Sequence, residues 1–276
     1  MPKIISICNQ KGGVGKTSTA VSLSSCLALE GKKCLLVDLD PQGNATSGVG
    51  IDKNSVVKSI YHALLEDTKL DEIIIPSCVE NLFIVPSNAN LSGAEVELVS
   101  EMGREGRLKK ILSQVDPSFD FVFIDCPPSF GLLTINALTA SHSVMVPIQC
   151  EYYALEGVSQ LIKTINLIKD NLNDNLQIEG ILMTMADFRT KLTQEVINEV
   201  KKHFGDKVYN AVIPRNIKLS EAPGFGKPIF LYDKESEGAK KYKELTNEFI
   251  ASNVFKSSPK SLPVRQAGLI GGQVQV

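Results

Sequence analysis

The chain has 276 residues, 43% of them hydrophobic and 22% charged, with a formal net charge of −2. That is enough for one large α/β domain or two small ones. No apolar run approaches the roughly eighteen residues of a membrane span. The charge balance excludes a globally basic nucleic-acid binder, so any DNA contact must come from a local patch.

The first strand is expected at KIISIC, residues 3–8, short and β-branched and leading into glycines. It lacks the charged-then-apolar form of a signal peptide, which points to a cytoplasmic protein. A helix should follow from Lys16 to Glu30, its small residues allowing close approach to a sheet, with Gly31 at the C′ position. CLLVD (34–38) reads as a buried parallel strand. Further strands are expected at 81–86, 121–125, 143–148, 178–184 and 208–213, and helices near 56–65, 104–115, 131–140, 153–170, 190–204 and 235–251. The alternation predicts an α/β fold, a mostly parallel sheet with helices on both faces. No repeat or interior linker interrupts it, so residues 1–254 read as one domain. The remainder, 255–276, is rich in proline and glycine without helical period and reads as a disordered tail. It lacks the basic amphipathic pattern of a membrane-surface helix. Six scattered cysteines with no C-x-x-C pair, and three histidines without ligand spacing, read as core and surface residues rather than metal ligands.

Between the first strand and the first helix stands NQKGGVGKTST (9–19). It nearly matches the phosphate-binding loop G-x-x-x-x-G-K-[ST], but Gln10 occupies the first glycine position and a second lysine, Lys11, precedes the expected Lys16. Such a turn presents successive backbone N–H groups, and the start of a helix dipole, to an anion. Gly12, Gly13, Val14 and Gly15 form the turn. Lys16 would sit over the β- and γ-phosphates, and the Thr17 hydroxyl would ligate Mg²⁺. Ser18 follows with a second hydroxyl. Asp38, Asp40 and Asp125 end two strands on the same sheet edge, where ligands of open parallel sheets collect.

KGGVGKTST, LLVDLDPQGNATSGVG, FIDCPPSFGLLTINAL, PIQCEYYALEG and VIPRNIKLSEAPGFGKPI together resemble the ParA/Soj type of partition ATPase, a branch of the deviant Walker A superfamily. The likeness runs from Lys3 to about Ile250. It implies a P-loop NTPase fold, slow Mg²⁺-dependent ATP hydrolysis, and a sandwich homodimer closed by ATP. Lys11 matches the signature lysine that reaches phosphates bound by the other subunit, which fits the demand of two buried triphosphates for extra cations. By the same resemblance Asp40 holds the attacking water, Asp38 and Asp125 serve the Mg²⁺ shell, and Pro214, Arg215 and Asn216 lie against adenine. No arginine stands near these motifs in the sequence to stabilise phosphoryl transfer in cis.

The resemblance also implies non-specific binding of double-stranded DNA by the ATP dimer, through Arg189 and Lys218 with Lys191 and Lys227 as neighbours. Residues 151–256 carry fifteen basic and fifteen acidic side chains, so only dimerisation could gather a continuous basic patch. A ParB-type centromere-binding protein is the implied stimulating partner, a replication initiator a further one, and the location cytoplasmic and nucleoid-associated in a bacterium. A MinD-type membrane cycler would need an amphipathic C-terminal helix, and a nitrogenase-iron-protein relative would need interface cysteines. A small-molecule kinase or amidoligase would not need the ParA-like blocks at 143–157 and 213–230.

Overall fold

The computed structural model describes residues 1–151 and 154–257, the side chains of 154–156 and 254–257 aside. Eight strands form a single sheet: β1 (Lys3–Ile7), β2 (Cys34–Asp38), β3 (Ile75–Pro76), β4 (Leu82–Val85), β5 (Phe121–Asp125), β6 (Ser143–Gln149), β7 (Gln177–Ala186) and β8 (Val208–Pro214). Their spatial order is β3-β4-β2-β5-β1-β6-β7-β8, and every pairing is parallel except the short β3·β4. Along the chain the α-helices are α1 (Lys16–Leu29), α2 (Asn44–Gly48), α3 (Ile60–Leu65), α4 (Leu91–Glu97), α5 (Arg107–Leu112), α6 (Leu132–Ala140), α7 (Ala154–Asn171), α8 (Lys191–Phe204), α9 (Ile217–Glu221), α10 (Ile229–Tyr232) and α11 (Glu237–Ser257). None of the described helices is long and apolar enough to cross a membrane.

Period-two alternation along the strands divides the core into two layers. Leu35, Val37, Val122 and Ile124 join Leu64, Leu108, Leu133 and Leu161 of the helices on one face. Leu36, Phe123 and Leu182 join Leu23 and Leu27 of α1 and Tyr242, Leu245 and Phe249 of α11 on the other. Helix α1 is buried on almost every side, which its small residues permit. Ser24 and Ser25 satisfy their buried hydroxyls by donating to the carbonyls of Ala20 (2.7 Å) and Val21 (2.5 Å). The helix closes on Gly31 at φ 83°, the left-handed position expected of a C′ glycine.

The outer strand β8 would leave an edge open to pairing with another chain. Glu248 of α11 blunts it by accepting from the backbone N–H groups of Asn210 (2.8 Å) and Ala211 (2.7 Å).

The seven expected strands are all present, β7 three residues longer than its expected run. The expected helix at 56–65 forms only from Ile60, and that at 104–115 opens as a 3₁₀ turn before α5. Helices α2, α4, α9 and α10 and strand β3 were not expected. Each has seven residues or fewer, too short to show an apolar period. Helix α11 continues through Ser257, three residues into the segment read as a tail, and residues 258–276 lie outside the described residues.

Phe249 is fully buried, with its ring 5.3 Å from Phe121 and 5.9 Å from Phe123 between centroids. Phe249→Ala should destabilise the fold by about 3–5 kcal/mol, read as a lower urea midpoint with an unchanged slope.

Candidate nucleotide-binding site

The loop at 9–17 leaves the C-terminal end of the central strand β1 and runs directly into α1. Gly13 and Gly15 take φ 74° and 88°, a left-handed backbone in which any other residue would be strained. Asn9 ties the loop to the neighbouring strand, donating to the Pro147 carbonyl at 2.7 Å and accepting from the Lys11 N–H at 3.0 Å. Thr184 of β7 fastens its far side, donating to the carbonyl of Val14 at 2.9 Å. The sequence reading missed both anchors, because neither belongs to the phosphate-loop pattern.

The two lysines occupy different environments. Lys16 is buried and donates to the Lys11 carbonyl at 3.1 Å, so its charge is fixed inside the loop. Lys11 is exposed, and its Nζ lies 2.6 Å from Glu151 Oε2. Glu151 also accepts from the side-chain amide of Gln149 and stands 3.6 Å from the Arg215 guanidinium. An arginine is therefore close to the loop after all, carried there by the end of β8. Sequence distance hid both Glu151 and this approach. A single exposed glutamate 140 positions away offers no pattern.

Strand order places the acidic residues. Register pairs Ile7 with Asp125 and Asp38 with Asp125, so both carboxylates lie beside the loop. Asp38 is fully buried and accepts from the Thr46 hydroxyl and N–H (2.7 Å each) and the Asp40 N–H (3.2 Å). Burial pushes its pKa up to about 6 despite these hydrogen bonds. Asp125 is also fully buried, and neither of its oxygens accepts a hydrogen bond. Burial, then the charge of Asp38, raise its pKa well above the carboxylate range, only partly offset by the neighbouring Thr17 hydroxyl and Lys16. Asp40 accepts from the Gln42 N–H at 2.9 Å, while Ser87 donates to its carbonyl at 2.8 Å, fixing the turn.

Beyond the loop opens a cavity of about 590 Å³, of the size that holds a nucleoside. Thr17, Ser18 and Tyr242 line one side, and Met185, Pro214, Arg215 and Asn216 the other. Met185 holds φ 52°, a strained backbone for a non-glycine residue, at the cavity wall. Asn216 caps α9 by accepting from the Leu219 N–H at 3.3 Å, so its side-chain oxygen is already engaged. The proposed adenine segment thus lies against the cavity.

The candidate DNA contacts are placed differently. Arg189 is 89% exposed in its side chain but makes a two-point pair with Asp187 at 2.7 and 2.8 Å. That pair lowers the Asp187 pKa to about 2. Lys218 pairs with Glu221 at 2.9 Å. Lys191 opens α8, and Lys227 lines the cavity beyond the loop.

Parallel sheet, glycine loop at the end of β1, and paired strand-end carboxylates define a P-loop NTPase. A family model described as an AAA domain matches residues 2–178. The chain is 58% identical over 252 residues to the sporulation initiation inhibitor protein Soj of Bacillus subtilis, covering 91% of this chain and all of that one. It is 50% identical to the chromosome partitioning protein ParA of Myxococcus xanthus, covering 92% and 90% of the two chains. The solved structure of cobyrinic acid a,c-diamide synthase from Mycobacterium smegmatis, with bound ATP analog and magnesium, is 36% identical with a TM-score of 0.81, covering 93% of this chain and 97% of that one. The chain belongs to the ParA/Soj family of chromosome-partitioning ATPases.

The unpartnered carboxylate gives a signed prediction. Asp125→Asn should stabilise the nucleotide-free protein by about 1–2 kcal/mol at pH 7, measured by thermal or urea unfolding. Burial raises both carboxyls, so the folded protein holds protons that the unfolded chain releases. The penalty is therefore absent below the ordinary carboxylate value of 3.8, grows as pH rises above it and levels off once pH passes the raised pKa of Asp125. The advantage of the variant should vanish on acidification through that window.

Proposed function

We propose that this chain is an ATP-driven DNA-partitioning switch, in which ATP closes a homodimer that binds DNA without sequence preference and hydrolysis releases it. The observation that carries the reading is the buried, unpartnered Asp125 carboxylate beneath the glycine loop, next to Lys16 and Thr17. Such a group calls for a cation, and oxygen donors at a phosphate loop suit Mg²⁺. Thr17, Asp38 and Asp125 would hold the ion, directly or through water. Bound there, Mg²⁺ supplies divalent charge against the phosphates.

The residues of the chain do the remaining work. Backbone N–H groups of 12–18 and the Lys16 ammonium hold the phosphates, and the cavity beside Pro214, Arg215 and Asn216 takes the adenosine. Asp40 orients a water toward the terminal phosphate. Phosphoryl transfer demands mainly positioning and charge stabilisation, so these roles suffice for slow turnover. Lys11 completes the charge across the dimer. To do so it must leave Glu151, but an exposed pair holds it by only about 0–1 kcal/mol, far less than a desolvated phosphate contact provides. The implied DNA contacts, Arg189, Lys191, Lys218 and Lys227, act from both subunits, where pairing with Asp187 and Glu221 leaves a single chain nearly neutral. A ParB-type protein stimulates hydrolysis, and a replication initiator is a second target of the ATP state. These roles place the protein on the nucleoid in the cytoplasm, with 1–254 as the ATPase unit.

The test is binding to a random-sequence duplex with ATP, ADP or no nucleotide, at two salt concentrations. Binding should require ATP and fall steeply with salt. Binding that ignores nucleotide, or its complete absence, removes DNA as the target.

Lys11→Ala should bind ATP near normally yet stay monomeric by light scattering, and a stable ATP dimer in that variant sinks the trans role. Lys16→Ala should lose ATP-dependent behaviour altogether. Asp40→Ala should dimerise and remain on DNA with turnover reduced at least about a hundredfold.

A further inference from the structure

A second concavity is lined by α1, α10 and α11, helices that also line the first cavity. Its volume is about 500 Å³, and Cys26, Leu29, Phe230 and Ala239 form its apolar surface. Leu29 is 51% exposed there, a large apolar side chain left open to water. Lys234, Lys240 and Lys243 line the same groove, and Glu30 is its one acidic member. Glu30 is already paired with Lys243. Among the described residues neither Lys234 nor Lys240 pairs with a carboxylate, and Asp233, Glu235 and Glu237 do not line the groove.

We propose that this groove docks an acidic segment of a partner protein, one large apolar side chain of which packs against Leu29 and Phe230 while its carboxylates meet Lys234 and Lys240. Charge complementarity selects that occupant: a positive rim around an apolar floor favours negative flanks around an apolar anchor. Residues 258–276 of the chain itself are excluded by the same argument, since they carry Lys260 and Arg265 and no acid. Duplex DNA offers the charge but no aliphatic anchor for the floor.

The groove shares its walls with the nucleotide cavity. Ser18 and Ser22 of α1 face the nucleotide cavity, and Cys26 and Leu29, one and two turns further along the helix, face the groove. Ile229 and Phe230 of α10 divide between the two, as do Tyr242 and Lys243 of α11. The Tyr242 hydroxyl lies 3.2 Å from that of Thr19, joining the helices between the sites. A segment seated in the groove therefore changes nucleotide affinity, and nucleotide changes the affinity for the segment by the same factor.

The probe is a short fluorescein-labelled peptide carrying one phenylalanine flanked by aspartate and glutamate, with a control in which every acid is lysine. Fluorescence anisotropy on the full chain should show the acidic probe binding at least about tenfold more tightly than the control. Lys234→Glu with Lys240→Glu, and separately Leu29→Ser, should each weaken it at least about tenfold while the thermal midpoint stays unchanged. ADP affinity should shift by the factor that ADP imposes on the probe. Equal binding of both probes, or binding of neither, overturns the proposal. So does a charge-reversed variant that loses duplex binding or self-association but keeps the acidic probe, which would assign the groove to DNA or to a second copy.

Discussion

Two carboxylates stand side by side at the ends of adjacent strands, beyond the reach of water, and the rest of the site depends on them. Asp38 is partly satisfied by Thr46 and the Asp40 backbone, whereas neither Asp125 oxygen accepts a well-formed hydrogen bond and only the neighbouring Thr17 hydroxyl and Lys16 ease its charge. A protein optimised only to stay folded would replace such a group. On the proposed reading its place under the glycine loop is stored electrostatic demand, relieved when positive charge arrives with the phosphates. Binding and stability are thus coupled through one buried atom pair. Helix α1 contributes its N-terminus to that same spot, and its core-facing serines let it lie close enough to do so.

The two lysines of the loop are distinguished by burial more than by sequence. Lys16 donates to the carbonyl of Lys11, which fixes its position relative to the backbone that cradles phosphate. Lys11 extends outward to an exposed glutamate. On the proposed reading the fixed lysine serves the nucleotide of its own chain, and the exposed one, held by a weak surface pair, is free to reach another subunit at small cost. The missing glycine at Gln10 belongs to the same arrangement. Beside it, Asn9 secures the entry of the loop by bridging the Pro147 carbonyl and the Lys11 N–H.

Most of the sheet could be read directly, since buried parallel strands are short apolar runs bounded by glycine, proline or aspartate. KIISIC, CLLVD and FVFID all became strands within a residue of their expected ends. The loop and its acids were legible for the same reason: each sits where a run stops. What escaped was contact at long separation. Thr184 on the Val14 carbonyl, Glu151 on Lys11 and Arg215 beside Glu151 join segments far apart in sequence by single polar bonds, and no local pattern announces them. The short helices escaped because a helix of one or two turns owes its existence to packing and caps rather than period. Lys227, read as a neighbour of the DNA contacts, lines the cavity as well, a placement no sequence pattern announces.

That placement gives the later half of the chain a coherent role. The segment from Pro214 to Ile229 forms the outer wall of the nucleotide cavity, and it also carries Lys218. Met185, strained at the opposite wall, lies four residues before Arg189. Residues proposed for DNA therefore hang from the same loops that line the cavity. A change in cavity occupancy need travel only a few bonds to reach them, and no separate transmitting element is required. Nearly neutral surface pairs, Arg189 with Asp187 and Lys218 with Glu221, suit such a device. Each costs little to break, so on the proposed reading modest shifts in these loops decide whether the cation faces its own carboxylate or a phosphate.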